Sequence, residues 1–254
     1  MKEKLQKVNR MITDESDSIL KRYQTIIVGC RRLGYLLKYE LITMICAPAP
    51  GALGLALRKI FYPKLLQSCG KGVVFGKDVV IRHGLKIRIG NKVVIDDGCV
   101  LDARGDHNQG ICIGDRVILG RNTVLGCKDG DILIGDNVGI GTFSLVHAVG
   151  GNRVILEDSA LLAPFVYLVG GGTHTFQDTS VAITEQELVY KGGITLSRNC
   201  WLGARVTVLD GTTIGRDAVI GAGAVVTESI PDFAIAVGVP AKVVKLRQPT
   251  PVSA

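Results

Sequence analysis

The sequence predicts a mainly β fold: a parallel β-helix preceded by a helical segment. The first observation is a six-residue period between Ile194 and Val226, where an aliphatic residue returns in constant phase at Leu202, Val208, Ile214, Ile220 and Val226. Neither an α-helix nor a plain strand has that period, whereas one hexad forms one flat face of a parallel β-helix. Aliphatic–glycine pairs repeat the spacing upstream, at Ile113-Gly114, Leu119-Gly120, Leu125-Gly126, Ile134-Gly135 and Ile140-Gly141. The composition agrees, because 32 Gly with only 6 Phe, 6 Tyr and 1 Trp suits a coil filled by stacked Ile, Val and Leu.

The glycine after the aliphatic residue is expected to turn the chain at each corner. Gly203, Gly215 and Gly221 follow inward-pointing aliphatic residues in the C-terminal hexads. Glycine adopts a positive φ without a Cβ clash, and a sharp corner calls for such a conformation. We therefore expect these glycines to be the left-handed residues of the corners.

Residues 1–72 are predicted to form an N-terminal helical segment. Residues 1–12 are charged and predict a short helix, and Thr13 to Asp17 offers N-cap residues for a second one. From Ile19 to Ile45 the sequence is helical in composition and very apolar, with basic residues at intervals.

The longest uncharged run, from Leu41 to Leu57, is broken by Pro48, Pro50 and Gly51. It is shorter than the roughly 20 apolar residues of a membrane-spanning helix. We interpret it as part of a monotopic membrane segment, an amphipathic helix and a proline-bent hairpin, with the basic residues that follow at the lipid headgroups: Arg58, Lys59 and Lys64. The alternative is that these helices cap the open end of the β-helix and pack between subunits.

The positive charge is concentrated in the N-terminal segment. Residues 1–71 contain 13 Lys and Arg against 5 Asp and Glu, in a chain of net charge +7. Nucleic acid is a poor partner for this segment, because its charges alternate with long apolar runs and it lacks stacking aromatics; an anionic membrane surface, contacted through residues 1–70, fits better. The mean hydropathy of +0.31 favours apolar surface covered by other subunits or by a membrane.

The cysteines and the start of the chain predict the compartment. The seven Cys are scattered, with no CxxC or metal-ligand spacing, and the sequence shows no signal peptide. This pattern favours reduced thiols. We expect a cytoplasmic protein, peripheral or monotopic on the cytoplasmic face of the inner membrane.

Residues 73–245 are predicted to form the β-helix, and residues 246–254 a flexible tail. His83, Arg104 and His107 are expected at exposed corners of its irregular first coils. Between Val169 and Gly193 the six-residue period is lost, and long excursions of this kind are usually functional. The segment 169–193 is therefore the predicted active-site loop.

His174 is the candidate catalytic residue. It lies near the start of the loop, in the run GGGTHTF, where neighbouring glycines leave space around the imidazole. Histidine is the usual general base near neutral pH. A lone histidine would more simply be a surface residue, but this is the only histidine in the only long excursion.

The C-terminal coils carry a resemblance to a known family. The run WLGARVTVLDGTTIGRDAVIGAGAVVTESIPDFAIAVGVPAKVVK resembles the C-terminal signature of the hexapeptide-repeat O-acetyltransferases, which act on galactosides, maltose, and the sugars of capsules and lipopolysaccharides. The resemblance covers residues 73–244, with specific motifs from about residue 113 onward. It implies a β-helix wound left-handed, against the usual crossover rule.

The resemblance also implies an activity, a donor and an assembly. The chain would be an O-acetyltransferase that uses acetyl-CoA and no metal, with a sugar or glycan precursor, free or lipid-linked, as acceptor. It would form a homotrimer with active sites between neighbouring subunits. His174 would remove the proton from the acceptor hydroxyl as that oxygen attacks the thioester, and a backbone N–H would stabilise the oxyanion.

Further residues match the positions at which the family holds coenzyme A. Trp201 matches a tryptophan of the cofactor channel, although it could instead be a corner aromatic of the trimer interface. The other matches lie along the pantetheine arm or near the adenosine and phosphates: Gly203, Ala204, Ala222, Thr227, Lys242 and Lys245.

Two carboxylates are candidates for orienting the base, since a catalytic histidine is often held by one. They are Asp178, four residues after His174, and Glu185. Ser144 and His147 either face the acceptor cleft or are solvent-facing corner residues.

One departure from the family pattern is visible at Glu228, where the family often has Lys. It removes a cation near the 3′-phosphate of coenzyme A. Either binding is weaker or Arg247 compensates.

Two other functions are considered. One is a non-enzymatic, membrane-bound trimeric scaffold with a vestigial site, which only Glu228 supports. The other is a γ-type zinc carbonic anhydrase, which needs three histidine ligands and is disfavoured because the four histidines are widely spaced: His83, His107, His147 and His174.

Overall fold

The computed structural model describes residues 18–248, and within them the chain winds into a three-sided β-helix. Each coil adds one short strand to each of three parallel sheets, called A, B and C in chain order. Sheets A and C contain seven strands each and sheet B nine. The predicted fold class is confirmed, and the architecture is consistent with the left-handed hexapeptide-repeat β-helix.

The strands of these sheets follow the chain in the repeating order A, B, C as far as β23, after which β24 and β25 both join sheet B. Sheet A consists of β1 (Ser68–Cys69), β4 (Ile87–Ile89), β7 (Ile111–Ile113), β10 (Asp131–Ile134), β13 (Arg153–Leu156), β18 (Gly193–Leu196) and β21 (Thr212–Ile214). Sheet B consists of β2 (Val74–Phe75), β5 (Val94–Ile95), β8 (Ile118–Leu119), β11 (Gly139–Ile140), β14 (Leu161–Leu162), β19 (Trp201–Leu202), β22 (Val219–Ile220), β24 (Ala234–Val237) and β25 (Lys242–Leu246). Sheet C consists of β3 (Val80–Arg82), β6 (Val100–Asp102), β9 (Val124–Lys128), β12 (Leu145–Val149), β15 (Tyr167–Gly170), β20 (Thr207–Leu209) and β23 (Val225–Val226).

The aliphatic residues of the repeat fill the prism, as predicted. Equivalent residues pair between coils: Leu202 of β19 is in register with Leu162 of β14 and Ile220 of β22. The side chains identified from the period are all at most 1% exposed: Leu202, Val208, Ile214, Ile220 and Val226. Burial of each such side chain stabilises the fold by about 1.5–3 kcal/mol.

The expectation for the repeat glycines is wrong. Gly203 does not have a positive φ; the left-handed residue of that corner is Arg205, two positions later, with φ 60°. Glycine is needed at 203 because the next coil passes too closely, and a Cβ built there would lie 2.6 Å from the backbone nitrogen of Ala222. The same offset recurs in the next coil, where Gly215 precedes the left-handed Asp217 (φ 59°).

The helical segment comprises α1 (Ile19–Tyr23), a π-helical turn (Gln24–Val28), α2 (Leu33–Cys46), α3 (Gly51–Phe61) and a 3₁₀ turn (Tyr62–Leu65). Ser18 caps α1 by accepting a hydrogen bond from the Lys21 backbone N–H at 3.4 Å. The helix predicted for residues 1–12, the capping run Thr13 to Asp17, and residues 249–254 of the predicted tail lie outside the described residues.

Helices α2 and α3 form a hairpin across the open N-terminal end of the β-helix. The hydroxyls of Tyr39 and Tyr62 donate to first-coil carbonyls, those of Ile81 at 2.8 Å and Val79 at 3.1 Å. These contacts correspond to the alternative in which the helices cap the prism. No helix within residues 18–248 is both long enough and apolar enough to cross a membrane.

Arg58 does not lie where the sequence suggested. It is only 2% exposed, and its guanidinium donates to the carbonyls of Phe75 (2.9 Å), Cys46 (2.9 Å) and Ala49 (2.7 Å). The expectation that it faces lipid headgroups is therefore wrong. Its position on α3 turns it towards the end of α2, where unpaired carbonyls need a donor.

Candidate active site

The predicted active-site loop emerges between sheets C and A. β15 ends at Gly170 and β18 begins at Gly193, so the excursion spans residues 171–192. It is built on a two-stranded antiparallel ribbon in which β16 (Thr173–His174) pairs with β17 (Leu188–Val189). The Thr175 N–H extends this ribbon by donating to the carbonyl of Glu187 at 2.8 Å.

His174 lies on the outgoing strand of this ribbon, in register with Leu188. The residue is half-buried, and its Nδ1 is buried without a hydrogen-bond partner among the described residues. A histidine held on a ribbon, with one ring nitrogen buried, can act through the other nitrogen. This geometry suits a general base or a general acid.

The candidate base-orienting carboxylates lie further along the same loop. The carboxylate of Asp178 accepts hydrogen bonds from the backbone N–H and the hydroxyl of Ser180, at 2.9 and 2.6 Å, and these bonds lower its pKa. Glu185 ends an exposed 3₁₀ turn (Ile183–Glu185). Their role towards His174 stays a prediction.

The structure brings three of the predicted cofactor residues together at the corner between sheets B and C. Gly203 and Ala204 stack on the next coil, where the Gly223 N–H donates to the carbonyl of Ala204 at 2.8 Å. Ala222 lies directly against Gly203 and is exposed. These small residues leave main-chain groups open to a ligand that runs along the corner.

Trp201 lies on the flat outer face of sheet B and not at a corner. It is 50% exposed, between Leu161 and Val219 of the flanking strands. Its indole can therefore contact a ligand or another subunit.

The remaining cofactor candidates gather at the C-terminal end of the prism. Thr227 follows β23 and is exposed. β25, which carries Lys242 and Lys245, folds back antiparallel onto β24 and is exposed along its length. The Lys242 ammonium lies 3.8 Å from the carboxylate of Glu228, so the departure from the family pattern places an anion beside one of the predicted phosphate contacts.

Ser144 does not face a cleft or the solvent. It is 1% exposed, and its hydroxyl accepts a hydrogen bond from the Val166 N–H at 3.1 Å. Both sequence-based alternatives for Ser144 are wrong, because it occupies an inward corner position, like Thr123 one coil earlier.

His147 lies half-buried on the outer face of sheet C. Its imidazole covers Gly126 of the preceding coil, where a Cβ would lie 2.6 Å from Nε2. Burial lowers its pKa, and the nearby Asp102 carboxylate partly opposes this effect. Asp102 is itself buried and forms an ion pair with Arg104 at 2.8 Å.

Sequence reasoning missed a buried carboxylate at the root of the excursion. Asp210 is 7% exposed and lies at the corner after β20, beside the residues that close the loop. The only signal was the Asp-Gly turn dipeptide at 210–211, which by itself predicts a turn and no partner. Within residues 18–248, no group of three or more His, Cys, Asp or Glu is placed to hold a metal ion.

Comparison with known proteins identifies the repeat. Residues 193–228 match the family model described as bacterial transferase hexapeptide (six repeats). The resemblance drawn from the sequence is thus confirmed. The matched residues run from the end of the excursion through the coils that carry Trp201, Gly203, Ala204, Ala222 and Thr227.

Curated relatives share the coil region. The chain is 37% identical to the probable acetyltransferase Rv3034c of Mycobacterium tuberculosis over 54% of its length and 44% of that protein. It is 34% identical to the galactoside O-acetyltransferase of Escherichia coli, over 44% of the chain and 55% of that protein. It is 33% identical to the putative lipopolysaccharide biosynthesis O-acetyl transferase WbbJ of Escherichia coli, over 46% of the chain and 61% of that protein. The chain therefore spans about half the length of the curated relatives it matches.

A solved structure shares the fold. It is a variant of AntD, an N-acyltransferase from Bacillus cereus, in complex with dTDP and coenzyme A. It superposes with a TM-score of 0.51 at 21% identity, covering 80% of this chain and 92% of that one. At this identity the likeness shows the fold alone.

Proposed function

We propose that this chain, whose coils carry the bacterial transferase hexapeptide repeat, is an acetyl-CoA-dependent O-acetyltransferase that acts on a hydroxyl of a sugar or glycan precursor. One observation carries the proposal: a half-buried histidine stands on an ordered ribbon immediately before the matched transferase coils. The names of the relatives support the class, since one is named a galactoside O-acetyltransferase and another a putative lipopolysaccharide biosynthesis O-acetyl transferase.

In the proposed reaction, His174 acts as the general base. Its unprotonated nitrogen takes the proton of the acceptor hydroxyl while the oxygen attacks the carbonyl carbon of the acetyl thioester. The tetrahedral intermediate collapses, the carbon–sulfur bond breaks, and the imidazolium returns its proton to the departing thiolate. The products are the acetyl ester and free coenzyme A, without an acyl-enzyme.

The C-terminal coils would hold the donor. Trp201, Gly203, Ala204 and Ala222 would line the path of the pantetheine arm, where small side chains leave main-chain groups accessible. Thr227, Lys242 and Lys245 would lie near the adenosine and its phosphates, and the two ammonium groups would attract the phosphate charge.

The test measures the release of free thiol from acetyl-CoA in the presence of candidate acceptors. The acceptors are sugars, nucleotide sugars, amino sugars and polyprenyl-linked glycans. His174→Gln should reduce turnover by about 10²–10⁴-fold, the usual contribution of a general base, while coenzyme A binding is retained. His107→Gln is the matched control, because His107 is exposed on a separate loop. Wild-type turnover in His174→Gln would refute the base assignment. A complete lack of coenzyme A binding by the wild-type chain would favour the non-enzymatic scaffold.

We also propose that the active unit is a homotrimer with each site between two subunits. The outer face of sheet B presents a column of apolar side chains, each at least 36% exposed and interrupted only by Gly139, which lies between Ile118 and Leu161: Val74, Val94, Ile118, Leu161 and Trp201. At the corner between sheets B and C, Phe143 and Phe165 stack with ring centroids 5.3 Å apart and half of each side chain exposed. Contiguous exposed apolar surface of this kind favours burial against another subunit.

We propose that the helical cap is a peripheral membrane-binding surface. α2 buries Leu36, Tyr39, Ile42 and Cys46, yet its opposite side is also apolar, and a helix apolar all round is normally covered on both sides. The exposed apolar residues of the hairpin are Leu33, Leu37, Leu41, Met44, Ile45, Leu53, Leu55 and Ile60. Apart from the buried Arg58, seven basic residues but only one acidic residue, Glu40, lie between residues 18 and 66. An apolar face within a basic segment fits the surface of an anionic bilayer.

Vesicle flotation tests this surface with the full chain. Binding should be stronger to vesicles that contain phosphatidylserine than to phosphatidylcholine alone, and should weaken with salt. Leu37→Glu with Leu41→Glu should abolish flotation, because both charges would enter the apolar region. Ile183→Glu replaces an equally exposed aliphatic residue in the excursion and should float like the wild type. Equal flotation of the double variant and the wild type would exclude this surface.

A further inference from the structure

The two ends of the excursion meet at one buried polar pair, Asn152 and Asp210. The two side chains are 8% and 7% exposed, and the Asn152 amide donates to both oxygens of the Asp210 carboxylate, at 3.1 and 3.2 Å. Asn152 begins the coil before the excursion and Asp210 ends the coil after it. The pair therefore joins two neighbouring coils through side chains that are 58 residues apart in the chain.

The Asp210 carboxylate holds the returning end of the loop. Its Oδ2 accepts from the Lys191 N–H and its Oδ1 from the Gly193 N–H, each at 2.7 Å. In the part of the chain that the structure describes, Asp210 forms no ion pair with Lys or Arg. Its charge is instead stabilised by three N–H donors, and hydrogen bonds to an ionised acceptor are among the strongest in proteins.

Glycines make room for the outgoing end of the loop at the same place. Gly171, with φ 111°, opens the excursion, and a Cβ there would lie 2.7 Å from the amide nitrogen of Asn152. The ring of Tyr190 lies over Gly150, where any Cβ would overlap it, and a Cβ on Gly171 would lie 3.5 Å from it. Tyr190, Asn152 and Asp210 thus enclose both strands at the point where they leave the prism.

The residues that Asp210 holds lie a few positions from the strand that pairs with His174. Leu188, the cross-strand partner of His174, is two residues before Tyr190 and three before Lys191. Only Val189 and Tyr190 separate Leu188 from Lys191, so a displacement of the Lys191 backbone would shift the strand that pairs with His174. By contrast, the ribbon's distal residues, 176–186, are exposed apart from Gln186.

We propose that Asp210, together with Asn152, is a positioning residue for His174: the buried pair fixes the root of the ribbon and thereby the place of the imidazole. The proposal rests on the proposed function for its catalytic consequence, but not for its structural one. Asp210 touches neither reacting group, so its effect is expected on turnover more than on donor binding.

Asp210→Asn is the sharpest single change. Each carboxylate oxygen accepts from a different backbone N–H, so the amide NH₂ of Asn must face one of the two donors and repel it. Asn152→Ala removes only the amide donor and leaves both backbone bonds, so its effect should be smaller. Asp158→Asn is the matched control, since Asp158 accepts a single backbone N–H, that of Asp136, at an exposed corner away from the excursion.

Amide hydrogen exchange of residues 171–192 is the first measurement, because it does not depend on activity. Asp210→Asn should speed exchange there by about tenfold or more, as expected when a buried hydrogen bond that limits local opening is lost. The strands of the other coils and the Asp158→Asn variant should exchange like the wild type. Wild-type exchange of residues 171–192 in both Asp210→Asn and Asn152→Ala would overturn the proposal. Should Asp210→Asn fail to fold, the Asn152→Ala result decides.

Steady-state kinetics is the second measurement. In Asp210→Asn the kcat should fall by about 10–100-fold, the penalty for a misplaced catalytic group, while the KM for acetyl-CoA stays near the wild-type value. Faster loop exchange with unchanged kcat would overturn the positioning role. Absence of turnover in the wild type would instead refute the proposed function, and the exchange result would still decide whether Asp210 anchors the ribbon.

Discussion

The close approach of the neighbouring coil determines which positions of this repeat require glycine. At Gly141 a Cβ would lie 2.5 Å from the carbonyl carbon of Ala163 and from the nitrogen of Pro164, both main-chain atoms that cannot rotate away. The corner residue two positions later is left-handed yet accepts a large side chain, as Phe143 shows with φ 58°. Coil spacing, and not corner geometry, therefore dictates where glycine must stand.

Gly141→Ala should accordingly cost more stability than Gly72→Ala. The first variant places a methyl group between two closely packed coils and should lower the free energy of unfolding by about 2–3 kcal/mol. The second places an alanine at φ 73° with its nearest neighbour, Lys92, 3.6 Å away, and this conformation costs about 1 kcal/mol. Urea unfolding of both variants measures the difference. A larger loss in Gly72→Ala would show that the corner conformation, and not coil contact, governs the repeat.

We expect Glu228 to weaken the binding of coenzyme A compared with a lysine at this position. Its carboxylate lies 3.8 Å from the Lys242 ammonium, and both side chains are largely exposed. Glu228→Lys should tighten coenzyme A binding by about two- to fivefold, the range of an exposed ion pair, and the gain should shrink with salt. Titration calorimetry at low and high salt is the measurement, with Asp78→Lys in the first coil as a control of equal charge change. No gain in affinity would mean that residue 228 does not face a phosphate.

At the scale of elements, one buried arginine joins the helical hairpin to the first coil. Arg58 donates to carbonyls at the end of α2, in the turn before α3, and in β2. These carbonyls are turned away from water, so they need a donor within the protein.

Arg58→Met should therefore destabilise the cap by about 3 kcal/mol or more, since several buried carbonyls lose a charged donor at once. Lys59→Met is the matched control, because the neighbouring side chain is exposed and its loss should change the free energy of unfolding little. Urea unfolding, with hydrogen exchange of α2 as a local probe, measures both. Equal stability of the two variants would contradict the capping role.

We expect the packing of the π-helical turn (Gln24–Val28) on the first coil to depend on pH through His83. Its Nε2 lies 3.3 Å from the carbonyl oxygen of Ile26, and its ring packs against Gly29. Burial lowers its pKa below the ordinary value of 6.5; Asp102 and the Ile26 carbonyl oppose this effect, and Lys86 and Arg104 add to it.

Because the unfolded chain binds this proton more tightly, the stability contributed by neutral His83 is present above pH 6.5 and is lost as pH falls through the lower pKa of the folded state. The Tm should therefore fall between about pH 7 and pH 5, and more shallowly in His83→Gln. His147, whose pKa burial also lowers, contributes in the same direction and keeps some slope. His107→Gln, at an exposed site, is the control. A wild-type slope in His83→Gln would exclude this histidine as a source.

At the scale of the whole molecule, the described residues include two exposed apolar surfaces, the column on sheet B and the helical cap. The first follows the axis of the β-helix and the second closes its end. This arrangement would let three prisms pack side by side while their helical caps face one membrane surface.

The two surfaces can be separated by experiment. Ile118→Glu, in the middle of the sheet B column, should convert a trimer to monomers in light scattering, because a charge would be buried at the interface. Leu53→Glu, on the cap, should leave the trimer intact. A monomeric wild type would refute the proposed assembly, and a trimeric Ile118→Glu would move the interface to another face.

The residues of the candidate site could be chosen from the sequence because they belong to local motifs, and their roles stay predictions. The six-residue period predicted the coils, its interruption predicted the loop, and the loop contained a single histidine. What was not predictable involves partners distant in the chain. Ser144 is an inward residue, Arg58 is a buried donor, and Asp210 holds a loop whose far end is about 40 residues upstream.

The sequence by itself determined that the chain is a β-helix of stacked hexads, with its interior aliphatic residues assigned correctly from Leu202 to Val226. A period in sequence becomes a period in space whenever each repeat folds in the same way, so this inference needs no distant contact. The tertiary structure alone decided which polar groups are buried and paired. Pairing depends on which coil lies beside which, and neither Asn152 with Asp210 nor Arg58 with Phe75 is encoded in any local pattern.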